Sequence, residues 1–142
     1  MPGGTPKTTR FGPGTVALGA TPVQIECEVT GGSITHNYSE TGDTITTLCG
    51  DSIGPSKTRD ADTIKFDTLL DLTSTGMYVY LQTNDLGVVP LEFVPNTGGG
   101  ATWEGSVQLQ LPTDVTFDSY GEPIKGSTEW TAQPTFTFTP AT

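Results

Sequence analysis

Short runs in which apolar and polar residues alternate constrain the fold of this chain more than any other feature. The clearest runs cover residues 23–29, 63–70 and 102–111. Because successive side chains of a β-strand point to opposite faces, a period of two gives each strand one apolar and one polar face. The chain also has 27 Thr among its 142 residues, and this β-branched residue favours strands over helices. The sequence therefore predicts a mainly β domain with hydroxyl-rich outer faces.

The supply of core-forming residues is small for a chain of this length. Leu, Ile, Val and Phe together number 31 of 142 residues, slightly above the fraction of about 20% below which disorder is expected. Residues 1–20 are rich in Gly, Pro and Thr and have too few aliphatic side chains to pack alone, so they are predicted to form an extended N-terminal arm. Residues 21–142 are predicted to form one domain, with a loop at 50–62 where Gly, Pro, Ser and Asp cluster.

The charge balance argues against several classes of partner. The chain has 6 Lys and Arg against 16 Asp and Glu, a net charge of −10. Since phosphate binding requires clustered Lys and Arg, specific nucleic-acid binding and an anionic membrane surface are both disfavoured. No apolar run approaches the roughly 20 residues of a membrane span, and residues 1–14 lack the apolar stretch of a signal peptide. We expect a protein that stays in the cytoplasm or in a particle assembled there.

Residues that could support catalysis are few and lack the partners that a reaction needs. His36 is the only histidine, and neither Cys27 nor Cys49 lies in a recognised cysteine motif. Asp60 and Asp62 lack the further acidic ligands that a calcium loop has at fixed spacing. Both cysteines are expected to be small buried hydrophobes rather than a disulfide. The sequence thus predicts no enzyme and no cofactor, and it favours a structural or interaction protein.

One segment fits two kinds of secondary structure. Met77, Val79 and Leu81 alternate as in a strand, whereas Met77, Tyr80 and Leu81 also fit the apolar stripe of a helix. Gly87 follows closely and is a good helix stop. Propensity favours a strand, so the residues alone leave both structures open.

Several segments follow one another in a characteristic order from about residue 23 to the end of the chain. The ambiguous segment 71–81 precedes the strand 88–95, and the segment 102–107 then has a glycine at its centre. The acidic linker 120–123 and the closing segment 129–136 come last. In this order of features the chain resembles the major tail tube proteins of long-tailed, siphovirus-like bacteriophages.

The resemblance implies a fold and an assembly. The fold would be a β-sandwich or barrel of two crossed antiparallel sheets, flanked by one short α-helix at about 75–84. Members of that family form hexameric rings that stack into a tube, through which the genome leaves the virion. The implied partners are further copies of the chain, a tape-measure protein and tail terminator or baseplate proteins. The implied location is the virion tail, assembled in the cytoplasm of a bacterial host.

A tube subunit needs a channel wall and contacts between rings. At physiological salt the Debye length is about 8 Å, so a cationic wall would hold passing DNA, whereas a wall of carboxylates and hydroxyls would let it slide without specific binding. The candidate lumen-facing residues, on polar strand faces, are Glu26, Glu28, Glu104 and Gln108. The candidate inter-ring contacts, in the N-terminal arm and the loop 50–62, are Phe11, Ile53, Arg59 and Asp60.

Two functions of other classes remain open from the sequence. A capsid decoration protein or head–tail connector is also small, rich in strands and equipped with Gly- and Pro-rich arms. A carbohydrate-binding β-sandwich would use Trp103 and Trp130, together with surface tyrosines, as a stacking platform. Trp103 shares its strand face with Val107 and Leu109, which favours a core position for that residue.

Overall fold

The computed structural model describes residues 9–21 and 23–141. Within these ranges the chain forms one α-helix, α1 (Met77–Thr83), and a 3₁₀ turn over Glu26–Glu28. No helix in the described ranges is long and apolar enough to cross a membrane. The strands are β1 Thr15–Leu18, β2 Val23–Gln24, β3 Val29–Thr35, β4 Tyr38–Thr41, β5 Ile45–Thr46, β6 Ser52–Ile53, β7 Ser56–Arg59, β8 Thr63–Leu69, β9 Val88–Val94, β10 Thr102–Gln108, β11 Asp114–Thr116, β12 Lys125–Ala132 and β13 Thr137–Thr139.

Nine of the strands form one antiparallel sheet that folds over itself. Its order is β2-β1-β9-β10-β12-β8-β3, with β11 paired to β12 and β13 paired to β10. In a flat sheet, β8 and β9 would lie roughly 14 Å apart because two strands separate them. Their side chains nevertheless meet, since the rings of Phe66 and Phe93 have centroids only 5.5 Å apart. The two layers therefore face each other across one core, which confirms the mainly β fold with a single short flanking helix.

The two edges of this sheet lie close together. The edge strand β2 is followed by the opposite edge strand β3 after only residues 25–28, and the five steps from Gln24 to Val29 span at most roughly 18 Å. The sheet thus curves until its two edges approach each other. The predicted continuous strand at 23–29 is wrong, because the chain must turn at this point from one edge to the other.

Glu28, within that turn, holds the start of α1. Its Oε1 accepts the N–H of Asp71 at 3.0 Å, and its Oε2 accepts the N–H of Met77 at 3.0 Å. An acidic group at this position satisfies N–H groups that the helix itself leaves unpaired and complements the helix dipole. The helix in turn buries Met77 and Leu81. These tertiary contacts explain why the segment is helical although its propensity favours a strand.

The core is small and continuous. Its members are aliphatic and aromatic side chains from both layers and from α1, with at most 6% of their surface exposed: Val16, Leu18, Ile25, Ile64, Phe66, Met77, Leu81, Leu91, Val107, Leu109, Trp130, Ala132 and Phe136. About half of this set comes from strands that the sequence predicts. The alternation predicted for 63–70 and 102–111 is confirmed by the inward residues of β8 and β10, although β10 ends at Gln108, and the strand predicted at 88–94 is confirmed as β9.

The sequence does not predict β12, which lies in the middle of the sheet. Its buried residues alternate as Gly126, Thr128, Trp130 and Ala132. Three of these four side chains are small or polar, so the strand carries little hydrophobic signal. The neighbouring strands β8 and β10 supply the pairing that the local sequence does not indicate.

Part of the predicted N-terminal arm belongs to the sheet. Residues 1–8 lie outside the described residues. Residues 15–18 are strand β1, which pairs with both β2 and β9 and buries Val16 and Leu18. Two aliphatic side chains are sufficient to anchor this strand, because the adjoining strands complete the core around them.

The predicted loop at 50–62 is also partly wrong. It contains β6 and β7, which pair with β5 and β4 respectively. Residues 38–59 are therefore one long hairpin, hereafter the hairpin arm. Its strands pair only with each other among the described residues.

Two buried threonines on neighbouring strands differ in their hydrogen bonding. The hydroxyl of Thr68 in β8 donates to the carbonyl oxygen of Gly126 at 3.0 Å. The hydroxyl of Thr128 in β12 is buried without a partner among the described residues. Burying a hydroxyl that makes no hydrogen bond costs roughly 1–3 kcal/mol.

We predict opposite effects for the same substitution at these two positions. Thr128→Val removes an unsatisfied hydroxyl and should raise the free energy of unfolding by about 1 kcal/mol, whereas Thr68→Val removes a hydrogen bond and should lower it by about 1 kcal/mol. Urea denaturation followed by tryptophan fluorescence measures both changes. Destabilisation of similar size in both variants would contradict the explanation.

Candidate assembly surfaces

The hairpin arm presents apolar side chains to solvent. Every residue from 38 to 60 is exposed. Ile45 and Ile53 are direct cross-strand partners, with exposed fractions of 61% and 60%, and Leu48 at the tip is fully exposed. A two-stranded ribbon is marginally stable by itself in water, and clustered exposed apolar side chains mark interaction surfaces. The arm therefore has the properties of an element that binds another protein surface.

A buried carboxylate fixes the base of the hairpin arm. Asp62, fully buried between β7 and β8, accepts a hydrogen bond from Arg59 Nη2 at 2.7 Å and from the N–H of Phe136 at 3.0 Å. His36 Nδ1 lies 3.1 Å from its other oxygen. These contacts connect both strands at the base of the arm to the segment that leads into β13. They also occupy the carboxylate oxygens that a metal ion would need.

The ionisation of Asp62 follows from these contacts. Burial by itself raises the pKa of the carboxyl group. The hydrogen bonds from Phe136, His36 and Arg59, together with the positive charge of Arg59, outweigh burial and hold the pKa below its ordinary value. Asp62 is therefore charged at neutral pH, and its charge is matched by donors on three sides.

The four predicted inter-ring residues fall into two pairs. Ile53 lies on the exposed ribbon, and Phe11 is exposed near the rim of a groove between the layers. Arg59 and Asp60 lie instead at the base of the hairpin arm, where Arg59 contacts Asp62 and Asp60 accepts a hydrogen bond from the hydroxyl of Ser39 at 3.0 Å. An inter-ring role stays a prediction for all four.

One row of residues crosses the outer face of β2, β1, β9, β10 and β13. Its members are direct register partners: Gln24, Ala17, Glu92, Glu104 and Thr137. They line a shallow depression, hereafter the acidic sheet face. Glu92 and Glu104 stand directly opposite each other on adjacent strands. Like charges in this position destabilise a sheet, so the repulsion within this pair lowers the stability of the isolated chain.

The predicted lumen-facing residues do not all lie together. Glu104 lies on the acidic sheet face, and Gln108 is two pleats along the same face of β10, where its amide donates to the carbonyl oxygen of Leu86 at 3.2 Å. Glu26 and Glu28 belong to the 3₁₀ turn, and Glu28 is bound to the start of α1. The structure thus brings Glu104 beside Glu92, which was not predicted. The period-two alternation of residues 88–94 indicates that Glu92 lies on the polar face of its strand.

The tryptophan platform of a carbohydrate-binding protein is absent from the described residues. Trp130 is completely buried, with its ring 5.7 Å from that of Phe66 and its Nε1 donating to the carbonyl oxygen of Gln110 at 3.2 Å. Trp103 stacks on Phe93 at 6.1 Å. The proposed pairing of Trp103 and Trp130 as a sugar-binding surface is therefore wrong.

The cysteines also differ from expectation. Cys27 and Cys49 are both exposed thiols and do not form a disulfide. Cys27 lies in the 3₁₀ turn and Cys49 at the tip of the hairpin arm. The expectation of buried cysteines is wrong because the chain turns at both places instead of continuing as a strand.

Comparison with known proteins gives matches at the level of structure. No family model and no curated protein sequence matches the chain. A chain in the cryo-EM structure of the anti-feeding prophage cap, the AFP tube-terminating cap, superposes with a TM-score of 0.58 at 18% identity, over 96% of this chain and 95% of that one. A chain in the extended-state sheath/tube terminator of the PVC extracellular contractile injection system gives 0.52 at 15% identity, over 95% and 97%. The chain shares their fold. The shared fold confirms the predicted architecture over almost the whole length.

We predict that Asp62→Asn lowers the free energy of unfolding at pH 7 by about 2 kcal/mol, because it removes charge-assisted hydrogen bonds at a buried position. Since the folded pKa of Asp62 lies below its ordinary value of 3.8, the wild-type advantage is present above that pH and disappears as the pH falls through the folded pKa. Urea denaturation of both proteins at pH 7 and pH 3 measures the difference in their free energies of unfolding.

Asp60→Asn is the matched control for this prediction. Asp60 is exposed two residues away, so its substitution should change stability by less than about 0.5 kcal/mol. If Asp62→Asn lowers the free energy of unfolding as much at pH 3 as at pH 7, the charge of the carboxylate is not the cause.

Proposed function

We propose that this chain is a structural subunit of the tail tube of a phage-like particle. Copies of it form hexameric rings, and the rings stack around a channel through which viral DNA is ejected into the host. The proposal includes no catalytic activity and no cofactor. The subunit is part of the virion tail and is assembled in the cytoplasm of a bacterial host, with a tape-measure protein and terminator or baseplate proteins as further partners.

The observation that carries this proposal is the uncovered apolar ribbon of the hairpin arm. A lean core supports a stable subunit more readily when further apolar surface is buried between copies, and closed rings of identical subunits provide such burial. Support also comes from the fold, which is shared with chains of two tube-ending assemblies over nearly their full length. Fold alone does not imply function, so the proposal depends on the exposed surfaces.

The acidic sheet face is the proposed channel wall. Its opposed carboxylates, Glu92 and Glu104, repel phosphates, and its remaining partners in the row are neutral or hydroxyl-bearing. A wall of this kind offers DNA no site at which to bind. The loss of stability caused by two adjacent carboxylates is then explained by their role, which is to prevent DNA from binding to the wall as it passes.

A second candidate function is that of the subunit that ends the tube. Both solved structures described above are of tube terminators, which is the observation that favours it. The two candidates differ in stacking, since a tube subunit binds copies on both of its axial surfaces, whereas an end subunit forms a ring that does not stack. Negative-stain electron microscopy of the purified protein over a range of concentrations separates stacked tubes from single rings. A preparation that forms neither contradicts both.

The hairpin arm provides a direct test of assembly. The double substitution Ile45→Thr and Ile53→Thr keeps β-branched residues in the ribbon but removes apolar surface that is already exposed. We expect the thermal midpoint of the subunit to stay within about 2 °C. We expect the concentration needed for assembly to rise at least tenfold, a change that corresponds to about 1.4 kcal/mol. Sedimentation velocity measures the assembled fraction.

Val88→Thr is the matched control for the ribbon. Val88 is 57% exposed on β9, outside the hairpin arm, and loses the same kind of surface. Assembly of this variant should match that of the wild type. Equal loss of assembly in the control and in the ribbon variant would show that general surface hydrophobicity, and not the hairpin arm, drives association.

The paired carboxylates lead to a separate prediction. Glu104→Gln removes the repulsion with Glu92 and should stabilise the isolated subunit by a few tenths of a kcal/mol, about the size of one cross-strand pair. Glu104→Lys should leave tubes intact and reduce the infectivity of particles by retarding DNA. Unchanged infectivity with intact tubes would place the acidic sheet face outside the channel.

A further inference from the structure

A groove of about 580 Å³ opens between the two layers at the free edge of β3. Its apolar lining is mostly aromatic, with Phe66, Phe93 and Trp103 beneath and Phe11 at the exposed rim. Among the described residues β3 pairs only with β8, so its outer backbone groups also face the opening.

The charge of the groove is opposite to that of the molecule. Arg10 is exposed at the rim of the groove, His36 also lines it, and none of its lining residues is Asp or Glu. The side chain of Lys65 alternates with those of Ile64 and Phe66 and therefore lies on the other face of β8, opposite Glu129. The chain as a whole has only 6 Lys and Arg against 16 Asp and Glu. An aromatic groove with a basic border selects a segment that carries exposed aromatic side chains next to carboxylates.

One exposed segment of the same chain has this composition. The loop between β11 and β12 contains Phe117, 73% exposed, and Tyr120, fully exposed. Asp118 and Glu122 flank them, and residues 117–122 contain no Lys or Arg. The loop has a defined turn, because the N–H of Glu122 donates to the carbonyl oxygen of Ser119 at 3.0 Å. We refer to residues 117–122 as the acidic aromatic loop.

The groove lies along the first half of β8, and the acidic aromatic loop lies beyond the other end of that strand. Ile64 and Phe66 line the groove. Leu69, at the end of β8, pairs with Lys125, which pairs with Thr116 directly before the loop. Three residues of strand separate Phe66 from Leu69 by roughly 10 Å. A contact between groove and loop therefore joins two copies head to tail, and such a contact repeats from copy to copy.

We propose that the acidic aromatic loop of one copy binds in the basic aromatic groove of the next. Phe117 and Tyr120 would pack against the aromatic lining, while Asp118 and Glu122 face the basic border. This proposal rests on the proposed function, because it requires that copies of the chain associate. It adds one specific contact between those copies. It involves neither the hairpin arm nor the acidic sheet face.

Two variants with reversed charge test the contact. The groove variant carries Arg10→Glu, and the loop variant carries Asp118→Lys and Glu122→Lys. In each variant alone, groove and loop carry charge of the same sign. We therefore expect the protein concentration needed for association to rise at least tenfold. In a mixture of the two variants every groove meets a loop of opposite sign, and association should return to within about threefold of the wild type. Sedimentation velocity measures all three samples.

A single reversal elsewhere provides the control. Asp85→Lys changes the charge at an exposed position outside groove and loop, and it should leave association unchanged. A mixture that associates no better than its separate components would overturn the proposal. So would a groove variant that associates like the wild type.

A peptide experiment does not depend on the folding of any variant. A synthetic peptide of residues 114–123 should bind the wild-type chain and change the fluorescence of Trp103, while the same peptide with Asp118→Lys and Glu122→Lys should bind at least tenfold more weakly. Absence of binding at millimolar peptide would overturn the proposed contact. A wild-type chain that binds the peptide but never associates would count against the tail function and leave the groove and loop contact standing.

Discussion

The folding of one sheet over itself is the constraint on which the rest of this structure depends. The ring of Phe66 lies 5.5 Å from that of Phe93 in the other layer and 5.7 Å from that of Trp130 in its own layer, so a few aromatic side chains serve as core for both layers. A chain with so few aliphatic residues could not fill two separate cores at normal packing density. Closure of the sheet also brings its two edges within the reach of a four-residue turn.

The hairpin arm lies outside the core that the folded sheet encloses. Within residues 9–21 and 23–141, the strands of the hairpin arm pair only with each other. The arm is held at its base, where the buried charge of Asp62 is matched by donors from three directions. Removal of one member of such a cluster leaves the others unsatisfied. The arm is therefore positioned by a rigid polar cluster, while its apolar ribbon stays available for a partner.

The surfaces of the subunit are divided by chemistry. The ribbon of the hairpin arm is apolar, the outer face of β9 and β10 is acidic, and the groove beside β3 is aromatic and basic. A monomeric protein has no need for this division, and the opposed pair of Glu92 and Glu104 would be a cost without benefit. In the proposed tube, each surface would have a separate task, and the division therefore supports the proposal of an assembled function.

The sequence by itself determined the parts of this protein in which local pattern and global fold agree. The alternation in β8, β9 and β10 reflects the burial of one face, and that pattern can be recognised in the residues themselves. Only the tertiary structure decided the remainder. It made residues 77–83 a helix through Glu28, turned the strand expected at 23–29, and placed β12 in the centre although its inward residues are mostly small. Alternation in the sequence indicates that Glu92 and Glu104 lie on polar strand faces, but it does not indicate that these strands pair in the register that opposes them. The groove likewise joins residues that are distant in the chain, and contacts of that kind leave no local pattern to detect.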